Sequence, residues 1–87
     1  MIDNQDQRRF ELSEDGLLAF ATYSIRGDSY AINHVEADPA LRGKGTAGRL
    51  MQAIADWARA NNKKLLPRCS YAIAWMQRHP ENKDLTA

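Results

Sequence analysis

Apolar residues in this chain follow two periodicities, and the change between them falls near residue 45. Arg8 to Leu12 alternates as a short strand does, and SEDG (Ser13 to Gly16) follows with turn chemistry, since Asp15 and Gly16 both tolerate the positive φ of a tight hairpin. Leu17 to Ile25 is apolar at nearly every position, the pattern of a strand covered on both faces. RGDS (Arg26 to Ser29) is a second turn, and Tyr30 to Glu36 reads as a third strand, with His34 on the same face as Tyr30 and Ile32. The start of the chain is therefore an antiparallel meander.

From Ala47 the spacing becomes helical. Ala47, Leu50, Met51, Ile54, Ala55 and Ala58 recur at i, i+3, i+4 and i+7, with Arg49, Gln52, Asp56 and Arg59 opposite. Asn61 and Asn62 supply a stop that accepts a left-handed residue. Lys63 to Cys69 is a fourth strand, in which Pro67 marks an edge or a bulge. Ser70 is the expected N-cap of a second helix that runs to about Arg78 with Ala72, Trp75 and Met76 inward, and Pro80 ends it.

The third strand, long helix and fourth strand form a βαβ unit, expected to cross over right-handedly and to make those two strands parallel. The expected fold is thus α/β: an antiparallel meander, a right-handed βαβ unit and a short C-terminal helix on a mixed sheet. Residues 1–87 form one domain, with 1–6 and 82–87 loosely ordered. At this length folding hides only about 60 to 65% of the extended chain's surface, so the core is small.

Composition narrows the function classes. The apolar fraction of 44% and charged fraction of 26% are those of an ordinary globular domain. A formal net charge of +1 with interspersed signs gives no broad field for nucleic acid or an anionic membrane. The opening MIDNQDQRR is polar where a secretory segment is apolar, no run suits a membrane span, and the single Cys69 cannot form an internal disulfide. The expectation is a cytoplasmic monomer or weak dimer.

Gly43, Gly45 and Gly48 spell G-x-G-x-x-G, yet the dinucleotide reading fails. Six residues separate Glu36 from Gly43, and lysines stand about twenty positions on, where an acid should accept the ribose hydroxyl. A Walker loop is absent too. The same physics still favours an anion cradle: glycines let the backbone approach a ligand, and the following helix adds unpaired amides and the positive end of its dipole. Arg42, Lys44 and Arg49 are placed to pair with phosphate charge.

Arg42-x-x-Gly45-x-Ala47 resembles the pyrophosphate motif R/Q-x-x-G-x-G/A of the GCN5-related N-acetyltransferases. The stretches NHVEADPALRGKGTAGRLMQAIADWAR and PRCSYAIAWMQRHPE are similar to that superfamily's small, single-domain YjdJ-type branch, over about Phe10 to Glu81. The resemblance implies a minimal acetyltransferase-like fold without the usual N-terminal helix pair and C-terminal strands. It also implies acetyl-CoA as cofactor, held by Arg42, Gly43, Lys44, Gly45, Thr46 and Ala47. The pantetheine arm would run between the third and fourth strands, past Val35, and the acceptor site would be open.

At the far end of that arm the residues within reach are His34, Glu36 and Cys69. An amine resembling lysine costs about 4.6 kcal/mol to hold neutral at pH 7, so His34, or Glu36 through water, is a candidate base. Cys69, beside Arg68 and ahead of a helix N-terminus, is a candidate covalent carrier or simply a packed thiol. Tyr71 could protonate a departing thiolate or merely pack at the sheet edge. His34-Val-Glu36 and Pro67-Arg-Cys69 lack the second cysteine and the Pro-Cys pair of a zinc deaminase, so no metal is expected. Two functions stay open: an acetyltransferase acting on an unidentified amine or protein acceptor, and a non-catalytic acyl-CoA-binding or sensing module.

Overall fold

The computed structural model describes all residues from Met1 to Ala87. Five strands pair in chain order, β1 (Ile2–Asn4), β2 (Arg9–Glu14), β3 (Leu17–Arg26), β4 (Ser29–Ala37) and β5 (Lys64–Pro67). The first four are antiparallel, and β5 joins β4 in parallel after the crossover helix α1 (Thr46–Ala60). A second helix, α2 (Ser70–Arg78), and a 3₁₀ segment, Pro80–Leu85, complete the chain. The hairpin between β2 and β3 turns on Asp15 and Gly16, both at positive φ. Helix α1 ends as Asn61 and Asn62 foretell: Asn62 is left-handed, and Lys63 N–H closes back on Ala58 O at 2.8 Å.

Both helices pack on the same side of the sheet. Leu50, Met51, Ile54, Ala55 and Ala58 of α1 and Ala72, Trp75 and Met76 of α2 share one buried cluster with Phe10, Ala19, Ala21, Tyr23 and Ile32. Trp57, off the main apolar stripe, joins it through rings, 4.9 Å from both Phe10 and Tyr30. The near-continuous apolar run of β3 does not mean two covered faces. Its other face carries Leu18, Phe20 and Thr22, half-buried with no helix over them, and Arg9 stacks its guanidinium 4.7 Å from the Phe20 ring.

One irregularity positions everything that follows. Thr22 pairs with His34 and Tyr23 with Ile32, so Asn33 is an extra residue in β4, a β-bulge. The bulge exchanges the two faces of the strand. Tyr30 and Ile32 face the helices, as do Val35 and Ala37 beyond it, while His34 and Glu36 face the open side. His34 therefore does not share a face with Tyr30 and Ile32, and it is exposed rather than half-buried.

The two ends, expected to be loose, are tied down. Ile2–Asn4 pairs with β2, and Tyr23 Oη donates to Asp3 Oδ1 at 2.6 Å. At the other end Leu85 and Asn82 are buried, and Ala87 N–H donates to Leu65 O at 3.1 Å along the outer edge of β5. Leu85→Ala should cost about 2–4 kcal/mol in urea unfolding, while exposed Lys83→Ala should stay within about 0.5 kcal/mol. Equal small effects would show that the tail contributes no packing.

Candidate functional site

The turn before α1 is built from local rules. Asp38 accepts the Ala40 N–H at 2.9 Å and starts a 3₁₀ turn over Pro39–Leu41, which carries Leu41 into the interior. Gly45 then takes φ +78°, a left-handed conformation, and is the N-cap of α1 with no side-chain cap. Its carbonyl accepts Arg49 N–H at 3.1 Å, and Lys44 N–H is used by Leu41 O at 3.1 Å. The amides of Gly43, Gly45, Thr46, Ala47 and Gly48 have no protein acceptor. Gly48 is the last of the donors that a helix beginning at Thr46 leaves without an intrahelical acceptor. The Lys44 carbonyl, just ahead of the helix, accepts from Arg49 Nη2 at 2.7 Å.

These amides border a cleft of about 540 Å³ whose walls include Val35, Glu36, Ala37, Arg42, Gly43, Gly45, Thr46, Ala47 and Tyr71. The cleft exists because β4 and β5 part company. Their last paired residues are Ile32 and Pro67, and the Arg68 and Cys69 amides both turn in to Ile32 O, at 2.9 and 3.3 Å. Beyond that point β4 has no partner on this side. Asp38 N–H donates to Leu18 O at 2.9 Å, so the alternation of an antiparallel ladder bonds Glu36 and His34 to β3 and aims the amides and carbonyls of Val35 and Ala37 at the opened edge.

Seven of the residues singled out from the sequence, Val35, Glu36, Arg42, Gly43, Gly45, Thr46 and Ala47, thus border one space. Lys44, His34 and Cys69 do not line it. Lys44 leans to Asp15 at 3.8 Å. His34 sits on the open face with Nε2 3.2 Å from Glu36 Oε1 and its ring 6.5 Å from Phe20. Cys69, half-buried, is the N-cap of α2 in place of the expected Ser70, and its Sγ accepts the Ala72 N–H at 3.3 Å. Tyr71 flanks the head of α1, its hydroxyl 3.6 Å from where a side chain on Gly48 would begin, and burial pushes its phenol pKa up. No group of three or more His, Cys, Asp or Glu side chains is arranged to hold a metal ion.

Glu14 is the residue that sequence reasoning missed. At the end of β2 it accepts from Thr46 Oγ1 (2.7 Å), Arg49 Nε (2.6 Å) and Arg49 Nη2 (2.7 Å). Arg49 is thereby held beside the cleft rather than free for a ligand, and Arg42 is the basic side chain of the turn with no ion-pair partner.

A scan against family sequence models matches residues 9–85 to the GCN5-related N-acetyl-transferase family. The chain belongs to that family. Among solved structures it is similar to the NMR solution structure of a GCN5-like candidate N-acetyltransferase from Staphylococcus aureus, with a TM-score of 0.69 at 21% identity, covering 92% of this chain and 89% of that one. That likeness supports the fold. Among curated proteins none matches the sequence. No helix is long and apolar enough to cross a membrane.

The Arg49 guanidinium, then the Thr46 hydroxyl, hold the Glu14 carboxyl down at about 2, against 4.5 for the free group. A depressed carboxyl stabilises the fold fully above its unfolded value and loses that contribution as pH falls toward the folded one. Between about pH 4.5 and about pH 2 the wild type should therefore lose stability to urea more steeply than Glu14→Gln. Parallel curves would show that the pair contributes nothing to folding.

Proposed function

We propose that this N-acetyltransferase-family protein binds acetyl-CoA at the glycine turn and transfers the acetyl group to a primary amine that approaches from the helix-free face of the sheet. The observation that carries the reading is the set of unpaired amides at Gly43, Gly45, Thr46, Ala47 and Gly48, at the positive end of a fifteen-residue helix. A diphosphate suits them. It brings acceptors and negative charge to donors that have no internal partner, with Arg42 free to add a counter-charge. The opened edge of β4 suits the amide-bearing pantetheine arm, which can pair with the main-chain groups of Val35 and Ala37 as a short strand would.

In the transfer itself the amine nitrogen forms a bond to the thioester carbonyl carbon, the carbon–sulfur bond breaks and coenzyme A leaves as its thiolate. The attacking nitrogen must shed a proton. His34 in contact with Glu36 is the group that takes it in this reading, on the face from which the acceptor comes. Tyr71, on the cleft wall, is the donor available to the thiolate.

A second route has its own support. Cys69 is half-buried beside the Ile32 carbonyl where the strands part, with its sulfur already accepting an amide. It could take the acetyl group as a thioester and hand it to the amine.

Incubation with acetyl-CoA and a panel of primary amines, read by thiol release and intact mass, separates these routes. The expected result is an acetylated amine, with His34→Gln lowering turnover about 100-fold or more while coenzyme A affinity holds. An acetyl adduct on the protein that Cys69→Ala abolishes would establish the covalent route. No thiol release and no product with any amine would leave the binding or sensing function.

Binding is tested by thermal shift. Coenzyme A at about a hundred times its dissociation constant should stabilise the wild type by about 2.7 kcal/mol. Gly45→Glu places a carboxylate among the amides and should abolish the shift; an undiminished shift would move the site elsewhere.

A further inference from the structure

We infer that Arg49 is a positioning residue whose task is to keep the protein's own carboxylate, Glu14, from capping α1, so that the helix start stays open to an external anion. The inference rests on the coenzyme A reading above. A carboxylate beside a helix start is drawn to its free amides and to the positive end of the dipole. Glu14 has the right position for that. Its Oε1 lies 2.7 Å from the hydroxyl of Thr46, the first residue of the helix. Yet it accepts no amide of the turn; both oxygens are spent on Arg49 and Thr46 side chains.

Arg49 acts twice at this point. Its Nε and Nη2 hold the carboxylate in a two-pronged pair, and Nη2 also donates to the Lys44 carbonyl, which fixes the guanidinium over the turn. The guanidinium lies 3.2 Å from where a side chain on Gly45 would begin, so it roofs the turn without entering it. Lys44, held toward Asp15 of the same hairpin at 3.8 Å, leaves the other flank clear. Removing Arg49 frees the Glu14 carboxylate to compete for those amides.

Three proteins test this: wild type, Arg49→Ala and the double variant Glu14→Gln with Arg49→Ala. Hydrogen exchange of the Thr46, Ala47 and Gly48 amides, measured without ligand, should be fast in the wild type, slowed in the single variant as Glu14 swings onto them, and fast again in the double variant. Coenzyme A binding by calorimetry should weaken about tenfold in the single variant and recover in the double variant. Recovery is the discriminating result, since a purely structural role for the pair predicts that the double variant binds no better than Arg49→Ala. Exchange that stays fast in all three would overturn the inference whatever binds. If the wild type fails to bind coenzyme A while the exchange pattern holds, the cofactor assignment falls and the capping competition stands.

Discussion

Helix α1 starts with more hydrogen-bond donors than the protein supplies acceptors, and the architecture around it maintains that deficit. An isolated helix end always leaves donors over, and proteins usually close the account with a serine, threonine or aspartate cap. Here the cap position is Gly45, which has no side chain to offer and is left-handed, while Thr46 and Arg49 turn their side chains to Glu14 and hold its carboxylate off the amides. In water such amides are hydrated and the cost is modest. Against an anion they would act together along the helix axis, so under the proposed reading a chain with a net charge of only +1 needs no broad positive field to hold a diphosphate.

The second constraint is the single extra residue at Asn33. Without it, alternation would send His34 into the helix-covered face and Val35 to the open one. With it, Val35 and Ala37 pack toward the core, their main-chain edges front the cleft, and His34 and Glu36 stand together on the far side of the strand. One inserted residue thus decides which side chains of this strand pack toward the core and which stand on the open face. The same stretch ends the pairing with β5, because Ile32 is the last residue to bond across and its carbonyl absorbs two amides from the chain leaving Pro67.

How much of this could be read from the chain follows from the range of each interaction. Helix α1 and the parallel placement of β5 were legible because Leu50, Met51, Ile54, Ala55 and Ala58 repeat at helical spacing over several turns, a local signal that tertiary packing reinforced. The glycine turn was legible for the same reason, being contiguous. The bulge was not, since Asn33 is an ordinary extended residue with no glycine to mark it, and a one-residue slip leaves composition unchanged. Glu14 was read only as part of a hairpin because its partner lies thirty-five positions away, beyond any periodicity. The C-terminal end is tied in by the same kind of distant contact, since Leu85 is buried and the chain beyond it runs along Leu65, twenty positions back.

The size of the domain bears on how selectivity could arise. Both helices cover one face, so the other, to which the proposed reading brings the acceptor, is a bare sheet with Leu18 and Phe20 half-buried, Arg9 stacked over the ring and paired to Glu11 at 2.6 Å. Those opposite charges cancel beside the apolar patch, whereas His34 and Glu36 are exposed. A flat surface holds a ground-state amine weakly, because little area is removed from water and few groups close round it. Under the proposed reaction, preference among amines would then rest on contacts that strengthen as the nitrogen loses its proton, at His34 and Glu36, more than on an enclosing pocket. Under that reaction the discrimination lies in turnover, so affinity for different acceptors should differ far less than the rates at which they are acetylated.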